Sequence, residues 1–517
     1  INFERVINKK EIGSFNSFNH ILIYFSMPES LKQKAISGMI WNAVERFGSS
    51  FFLFVSNLVL ARLLSPDDFG CIGMLLVFIS ISDAIVDGGF GSALIQKKNP
   101  TATDYSTVFY WNLSLSFVLY AMLFLTAPLI ADFYEIPLLS DILKIQGIIL
   151  VINALMLVQQ NVLRKQLAFG RIAKINLSSV IFGTSVGILF AYWGAGVWSL
   201  VAKLLVTGIV QCLAYWRYNR WRPLWVFDWQ SITSLLNFGS FMFFNSILNR
   251  LYYNVLSLII GNCFSPMELG YYTQAGKLQD VPRNCISSAV INVTFPIFSG
   301  IQDDIARLKN AFSKCIRSIA FVYFPMAIIL IVVARPLITV LFTSKWLPMI
   351  PYFQLLTVAG LLTTLFETHT NVIKSLGKSK GVFILEFVLR TIGLIIIVIS
   401  IKFDMIGLLI GYTLSQFLFY IGASMYVGKL IHYDFRTQFG DIFLTLFIAV
   451  LPAIFVYWAS SFFIVAPVWQ VIIQAFVYIV MYVLFSKLFK IKEFDFYCSK
   501  LKRLIIKKCN PIYLYDT

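Results

Sequence analysis

The stretch "LLSPDDFG" occupies residues 63–70, and "CFSPMELG" occupies residues 263–270, 200 positions later. Each follows an apolar run and opens the next one, so Pro66 matches Pro266 and Gly70 matches Gly270. Six apolar runs fit from one copy to the other. An even number of membrane crossings returns the chain to the same side, so a duplicated six-span unit keeps its orientation. The two copies are then related by a pseudo-two-fold axis along the membrane normal. This predicts an N-terminal lobe at 37–216 and a basic linker at 217–234. A second lobe at 235–430 follows, then two added helices at 431–487 and a basic tail at 488–517.

Composition carries the membrane reading. Hydrophobic residues make up 58% of the chain and charged residues 13%, with a mean hydropathy of +0.78. A soluble domain carries roughly 25% charged residues. The chain is therefore expected to be an all-α integral membrane protein. About fourteen apolar segments are long enough to cross a hydrocarbon core, which takes roughly 20 residues each. They fall near 38–63, 71–94, 106–131, 141–162, 174–192, 196–216 and 235–260. The series continues at 267–297, 312–342, 350–374, 381–401, 405–428, 440–461 and 467–487. Their polar residues recur on helical faces, which argues for helices rather than barrel strands.

Arg and Lys cluster in alternate connections: Lys97 and Lys98; Arg164, Lys165, Arg171 and Lys174; Arg217, Arg220 and Arg222; and onward to Lys429 and Arg436. The intervening connections are nearly free of them. By the positive-inside rule both termini and all the basic loops are expected to be cytoplasmic. The net charge of +17 follows from this bias. It is spread over many short loops, which speaks against a nucleic-acid partner.

The ends read differently. Residues 1–26 lack an initiating Met and a signal-peptide layout, and Met27 is the expected natural start. Ser30 and Gln33 are placed to form a capping box. The stretch 486–509 mixes Lys with Phe, Leu and Ile, which suits either a helix lying on an anionic leaflet or a disordered tail.

Several spans carry ionisable groups, each of which costs at least a few kcal/mol at that depth unless it faces protein or water. Ser80, Asp83 and Asp87 share one face of the second span. The 200-residue offset aligns Asp83 with Arg283 in the eighth span, where Lys277, Asp280 and Asn284 share a face. The first span offers Asn42, Glu45, Arg46 and Ser49. The seventh offers Ser246, Arg250, Asn254 and Ser257, with Asn245 and Asn249 alongside. Corresponding polar faces in both copies predict a hydrated central cavity that accepts an anion. The plainer alternative is static ion pairing between helices, and Glu386 with Arg390 at i and i+4 fits that description. Arg46, Asn249, Arg250, Lys277, Arg283 and Arg390 are the candidate substrate-binding residues. Glu45, Asp83, Asp87 and Glu367 are candidates for gating or ion coupling, and periodicity does not choose among them. The Gly88-Gly89-Gly91 cluster either lets a neighbouring helix come close or lets its own helix flex.

The stretch "LARLLSPDDFGCIGMLLVFISISDAIVDGGFGSALIQKKNPTATDYSTVFYWN" (60–112) resembles the polysaccharide-exporter or O-antigen flippase (Wzx/WzxC-like) family. That family belongs to the multidrug/oligosaccharidyl-lipid/polysaccharide exporter superfamily. Residues 159–176, 268–304 and 374–380 also look like it. The likeness runs from about Leu31 to Leu430 and fades over the last two spans. The resemblance implies a bacterial inner-membrane flippase. Its substrate would be an undecaprenyl-pyrophosphate-linked oligosaccharide, moved from the cytoplasmic to the periplasmic leaflet by alternating access. Membrane lipid, a polysaccharide polymerase and a chain-length regulator are the further partners it implies. Arginine suits a pyrophosphate because its guanidinium binds oxygens in pairs.

Rival readings are a lipid II flippase or drug exporter of the same superfamily, and a membrane polysaccharide polymerase or ligase. A cation-drug exporter calls for an anionic cavity, against the Arg and Lys found here. Polymerases generally need long outward loops, and the outward connections here are short. His20, His369 and His432 have no metal-ligand spacing, and the seven cysteines form no C-x-x-C pair. No Walker A motif is present, so direct ATP drive is not expected; nor, on the spacing and loop grounds above, is a metal, a cofactor or an enzymatic activity.

Overall fold

The computed structural model describes residues 29–460 and 466–499; within α-helices the side chains of 29–40, 42–44, 46–47, 236–242, 244–246, 248–249, 288–289 and 292 lie outside the described set. The proposed start at Met27 therefore falls outside the described residues, and so do the side chains of the Ser30–Gln33 capping box.

The described residues are helical throughout, with short connections. In chain order the helices are α1 (Glu29–Leu63), α2 (Pro66–Asp87), α3 (Phe90–Gln96), α4 (Ala102–Phe133), α5 (Leu138–Gln146) and α6 (Ile148–Lys165). There follow α7 (Phe169–Tyr192), α8 (Trp198–Tyr218), α9 (Trp229–Cys263), α10 (Pro266–Gly300), α11 (Ile305–Val332) and α12 (Ala334–Leu341). The series closes with α13 (Ile350–Ser375), α14 (Ser379–Ser400), α15 (Met405–Ile431), α16 (Phe435–Ser460), α17 (Pro467–Leu488) and a short α18 at 492–499. Eleven segments among the described residues are long and apolar enough to cross a membrane. The helices α1, α9 and α10, which bear most of the polar faces, are each 35 residues long. At 1.5 Å per residue each reaches ~52 Å, more than a hydrocarbon core of about 30 Å requires.

The helix starts follow from local chemistry. Ser65 caps α2: its hydroxyl accepts from the Asp68 amide at 3.3 Å while Asp68 accepts from the Ser65 amide at 2.8 Å, with Pro66 in the first turn. Thr101 and Asp104 repeat this box at the start of α4, at 3.1 and 2.8 Å. Asp104, almost fully buried, also pairs with Lys97 at 2.8 Å and so clamps the α3–α4 loop. Asp228 caps α9 through the amides of Gln230 and Ser231. The Ser231 hydroxyl, helped by these amides, holds the Asp228 carboxyl below the usual carboxylate range.

Two of the differences from the sequence expectation have a clear local cause. The ninth, expected to run to 342, ends at Val332 and resumes as α12. Pro336 explains the stop: it lacks the amide that would bond the Val332 carbonyl, and its ring crowds that position. The second span is broken at Gly88 and Gly89, whose φ values are +53° and +75°. Two consecutive left-handed residues end α2 and start α3 in a new direction.

The chain divides into two compact units, Ile1–Thr273 and Gln274–Thr517. In the first, α9 packs on α2, α3 and α4, which groups it with the helices before it. The repeat motifs also meet within this unit. A Cβ at Gly70 would lie 1.8 Å from the Pro266 carbonyl oxygen, and one at Gly270 would lie 2.0 Å from the Pro66 carbonyl oxygen. Exchanging the two copies maps this contact onto itself, as a two-fold relation between the starts of α2 and α10 demands. In the second unit an aromatic-rich core forms around Phe298, Phe312, Tyr323, Tyr433 and Tyr478. There α18 sits against α11, with Glu493 3.3 Å from Arg317 and the Tyr497 ring stacked on Phe321.

Candidate functional site

In the first unit α2 presents Ser80, Asp83 and Asp87 on one face, and Arg250 of α9 reaches it. One guanidinium nitrogen lies 3.5 Å from Asp83 Oδ2, and the other donates to the Ser80 carbonyl at 2.8 Å. Asn254, one turn further along α9, donates to the Arg250 carbonyl at 2.7 Å and to the Ser80 hydroxyl at 3.3 Å. Asn153 of α6 donates to Asp83 Oδ1 at 3.0 Å. The ionic pair is only half-buried, with 36% of the Arg250 side chain and 31% of the Asp83 side chain exposed. Part of the guanidinium therefore remains uncovered by protein.

Asp87 lies one turn beyond, beside the amides of Gly89 and Gly91. A Cβ at Gly91 would sit 2.9 Å from Asp87 Oδ1 and 3.1 Å from Asn161 Nδ2 of α6. Gly88 and Gly89 turn the chain, and Gly91 leaves room for the Asn161 side chain. Glu45 of α1 accepts a hydrogen bond from Asn176 of α7, whose oxygen takes Gln211 at 2.7 Å and the Tyr215 hydroxyl at 3.0 Å. The side chains of Arg46 and Asn249 lie outside the described residues.

The second unit holds a cluster of its own. Arg283 of α10 lies 3.0 Å from Asp280 on the preceding turn and 3.4 Å from Glu367 of α13. Neutral pairs extend it: Ser287 with Thr364 at 3.2 Å, and Asn371 donating to Thr294 at 2.8 Å. Lys277 is exposed one turn before Asp280. Arg390 is tied to Glu386 at 3.0 Å within α14, the intrahelical pair its spacing predicted.

In both clusters a guanidinium is partly neutralised by carboxylates within about one contact distance. A multiply charged anion can displace those carboxylates, because Arg keeps its charge and offers several donors in a fixed plane. The sequence reading found the charged members and missed Asn153, Asn161 and Asn176. Asn153 lies in an apolar run, whereas Asn161 and Asn176 stand among other polar residues that did not single them out. His369, fully buried, bonds the Leu365 carbonyl and Gln438 and belongs to the core.

The chain matches the family described as "Polysaccharide biosynthesis protein" over residues 59–351, more than half its length. It is 29% identical to the lipopolysaccharide biosynthesis protein WzxC of Escherichia coli (strain K12), over 64% of this chain and 68% of the relative. It is 26% identical to the teichuronic acid biosynthesis protein TuaB of Bacillus subtilis (strain 168), over 69% and 74%. Among solved structures, the lipid II flippase MurJ in an inward closed conformation superposes with a TM-score of 0.71 at 16% identity, covering 88% of this chain and 98% of that one. An inward-facing multidrug resistance MATE family transporter gives 0.57 at 15% identity, over 76% and 98%. These two likenesses establish a shared fold.

Proposed function

Because the chain belongs to the polysaccharide biosynthesis protein family, we propose that this multi-pass membrane protein is a flippase for a lipid-linked oligosaccharide. The substrate would be an undecaprenyl-pyrophosphate-linked repeat unit of an O-antigen, capsule or exopolysaccharide. It would cross from the cytoplasmic to the periplasmic leaflet of a bacterial inner membrane by alternating access. The relatives named for lipopolysaccharide and teichuronic acid biosynthesis support the substrate class.

The observation that carries the reading is the pair of half-buried guanidiniums, Arg250 on Asp83 and Arg283 on Asp280 and Glu367. A diphosphate entering either cluster would take over the guanidinium and free a carboxylate. Freed acids would then be able to pair elsewhere or take up a proton, which would tie substrate loading to a change of state. Asn153, Asn254 and Asn371 are suited to sugar hydroxyls. A polymerase and a chain-length regulator would act on the product.

The test is flipping of a fluorescent polyprenyl-diphosphate oligosaccharide in vesicles holding the full chain. The expected result is rapid translocation, slowed about tenfold or more by Arg250→Ala or Arg283→Ala and partly restored by lysine. Unchanged rates in both alanine variants would remove the diphosphate-binding role. Movement of lipid II alone would assign the chain to that substrate instead.

A further inference from the structure

A cavity of about 490 Å³ opens within the first unit, where the starts of α4 and α7 meet the end of α6 and the stretch after α8. It lies apart in the fold from the Asp83–Arg250 pair, on the face that carries the basic connections. Tyr105, Lys165, Arg171, Asn219, Arg220 and Trp221 are among its lining residues. Three of these six are cationic, and no acidic residue lines the cavity.

The cations differ in their freedom. Lys165 is held by the carbonyls of Leu94 at 3.2 Å, Ile95 at 3.1 Å and Lys97, so it contributes fixed positive charge with its donors engaged. Arg171 and Arg220 are exposed, and their side chains have no hydrogen-bond or ionic partner among the described residues. The Trp221 indole Nε1 is buried and likewise lacks an acceptor there. Its lack of exposed surface also shuts it off from a ligand in the cavity, so it belongs to the wall.

The wall is also pre-shaped. Asn219 donates to the Gln159 carbonyl at 3.1 Å and accepts from the Trp221 amide at 3.2 Å, and Gln159 donates back to the Trp221 carbonyl at 3.3 Å. Arg222 ties the carbonyls of Asn219, Trp221 and Trp216 together. The Tyr105 ring meets Trp221 edge-on at 6.2 Å, which leaves an aromatic flank beside the two arginines. Two free guanidiniums, one fixed ammonium and an aromatic flank line the same cavity.

We propose that this cavity binds a phosphate ester or diphosphate. Arg171 and Arg220 grip the phosphate oxygens, and the aromatic flank packs on the group the phosphate carries. Such a ligand comes from an anionic lipid headgroup or from a soluble phosphate compound, and the test separates the two.

Full-length protein in detergent would be titrated calorimetrically with inorganic pyrophosphate. In parallel it would be equilibrated with phosphatidylcholine, with and without phosphatidylglycerol, and examined by native mass spectrometry. The expected result is that R171A/R220A weakens at least one of these two ligands about tenfold or more. The control R164A/R217A makes the same change of charge on exposed arginines outside the cavity and should leave binding unchanged. An effect on pyrophosphate assigns a soluble ligand, and an effect on retained phosphatidylglycerol assigns a lipid headgroup. The proposal is overturned if R171A/R220A binds both as the wild type does, or if the control loses as much.

Discussion

Asp83 holds two partners of different kinds, the Arg250 guanidinium and the Asn153 amide. Asparagine at 83 removes the charge and keeps an oxygen able to accept from Asn153, so the variant separates the ionic role from the packing role. If the pair closes one state of the transporter, Asp83→Asn leaves the protein folded and shifts the exposure of introduced cysteines toward one side of the membrane. If the pair is only a static lock, the variant loses folded protein and the accessibility of what remains is unchanged. A half-exposed ion pair contributes little net stability, on the order of 0–1 kcal/mol, so the first outcome is expected. Labelling with a membrane-impermeant thiol reagent from each side is the measurement.

At the scale of the element, the break between α2 and α3 makes a direct stability prediction. Alanine in the left-handed region costs roughly 1–2 kcal/mol. Gly89→Ala should therefore lower the thermal midpoint measured in detergent, and Gly88→Ala should lower it further. At Gly88 the new Cβ would also lie 2.9 Å from the Phe90 ring. Helix positions were largely legible in the sequence because apolar length and polar faces are local properties. The end of the ninth span was misjudged because a hydropathy run continues through Pro336, although the backbone does not. Partners were less legible than faces. The 200-residue offset aligned Asp83 with Arg283 as equivalent positions, which names no partner, and the ion partner is Arg250. Periodicity says which side a residue occupies, and only packing decides what it meets there. Asn153 escaped notice for a related reason, since a single amide does little to an apolar average.

At the scale of the whole chain, the proposed duplication has a signature that a substitution can probe. Gly70 and Gly270 each touch the opposite copy's proline carbonyl, so alanine at either position should be costly to a similar degree. Overpacking of this kind typically costs about 1–3 kcal/mol, read as a lowered midpoint of thermal unfolding. Gly276→Ala is the comparison: a Cβ there would meet no atom within 4 Å, and a helical Gly→Ala change is favourable by roughly 0.5–1 kcal/mol. Equal behaviour of Gly276→Ala and Gly270→Ala would deny the close approach.

That reciprocal contact also bears on how the protein is made. Gly70 meets a carbonyl 196 residues further along the chain, at Pro266 (266 less 70). At synthesis rates of about 5–20 residues per second, roughly 10–40 s separate the emergence of the two partners from the ribosome. Throughout that interval the first copy of the motif stands in the nascent chain with its socket empty. A protein whose two motif copies clasp each other in this way has to keep its earlier helices inserted, and out of wrong pairings, until the later ones arrive.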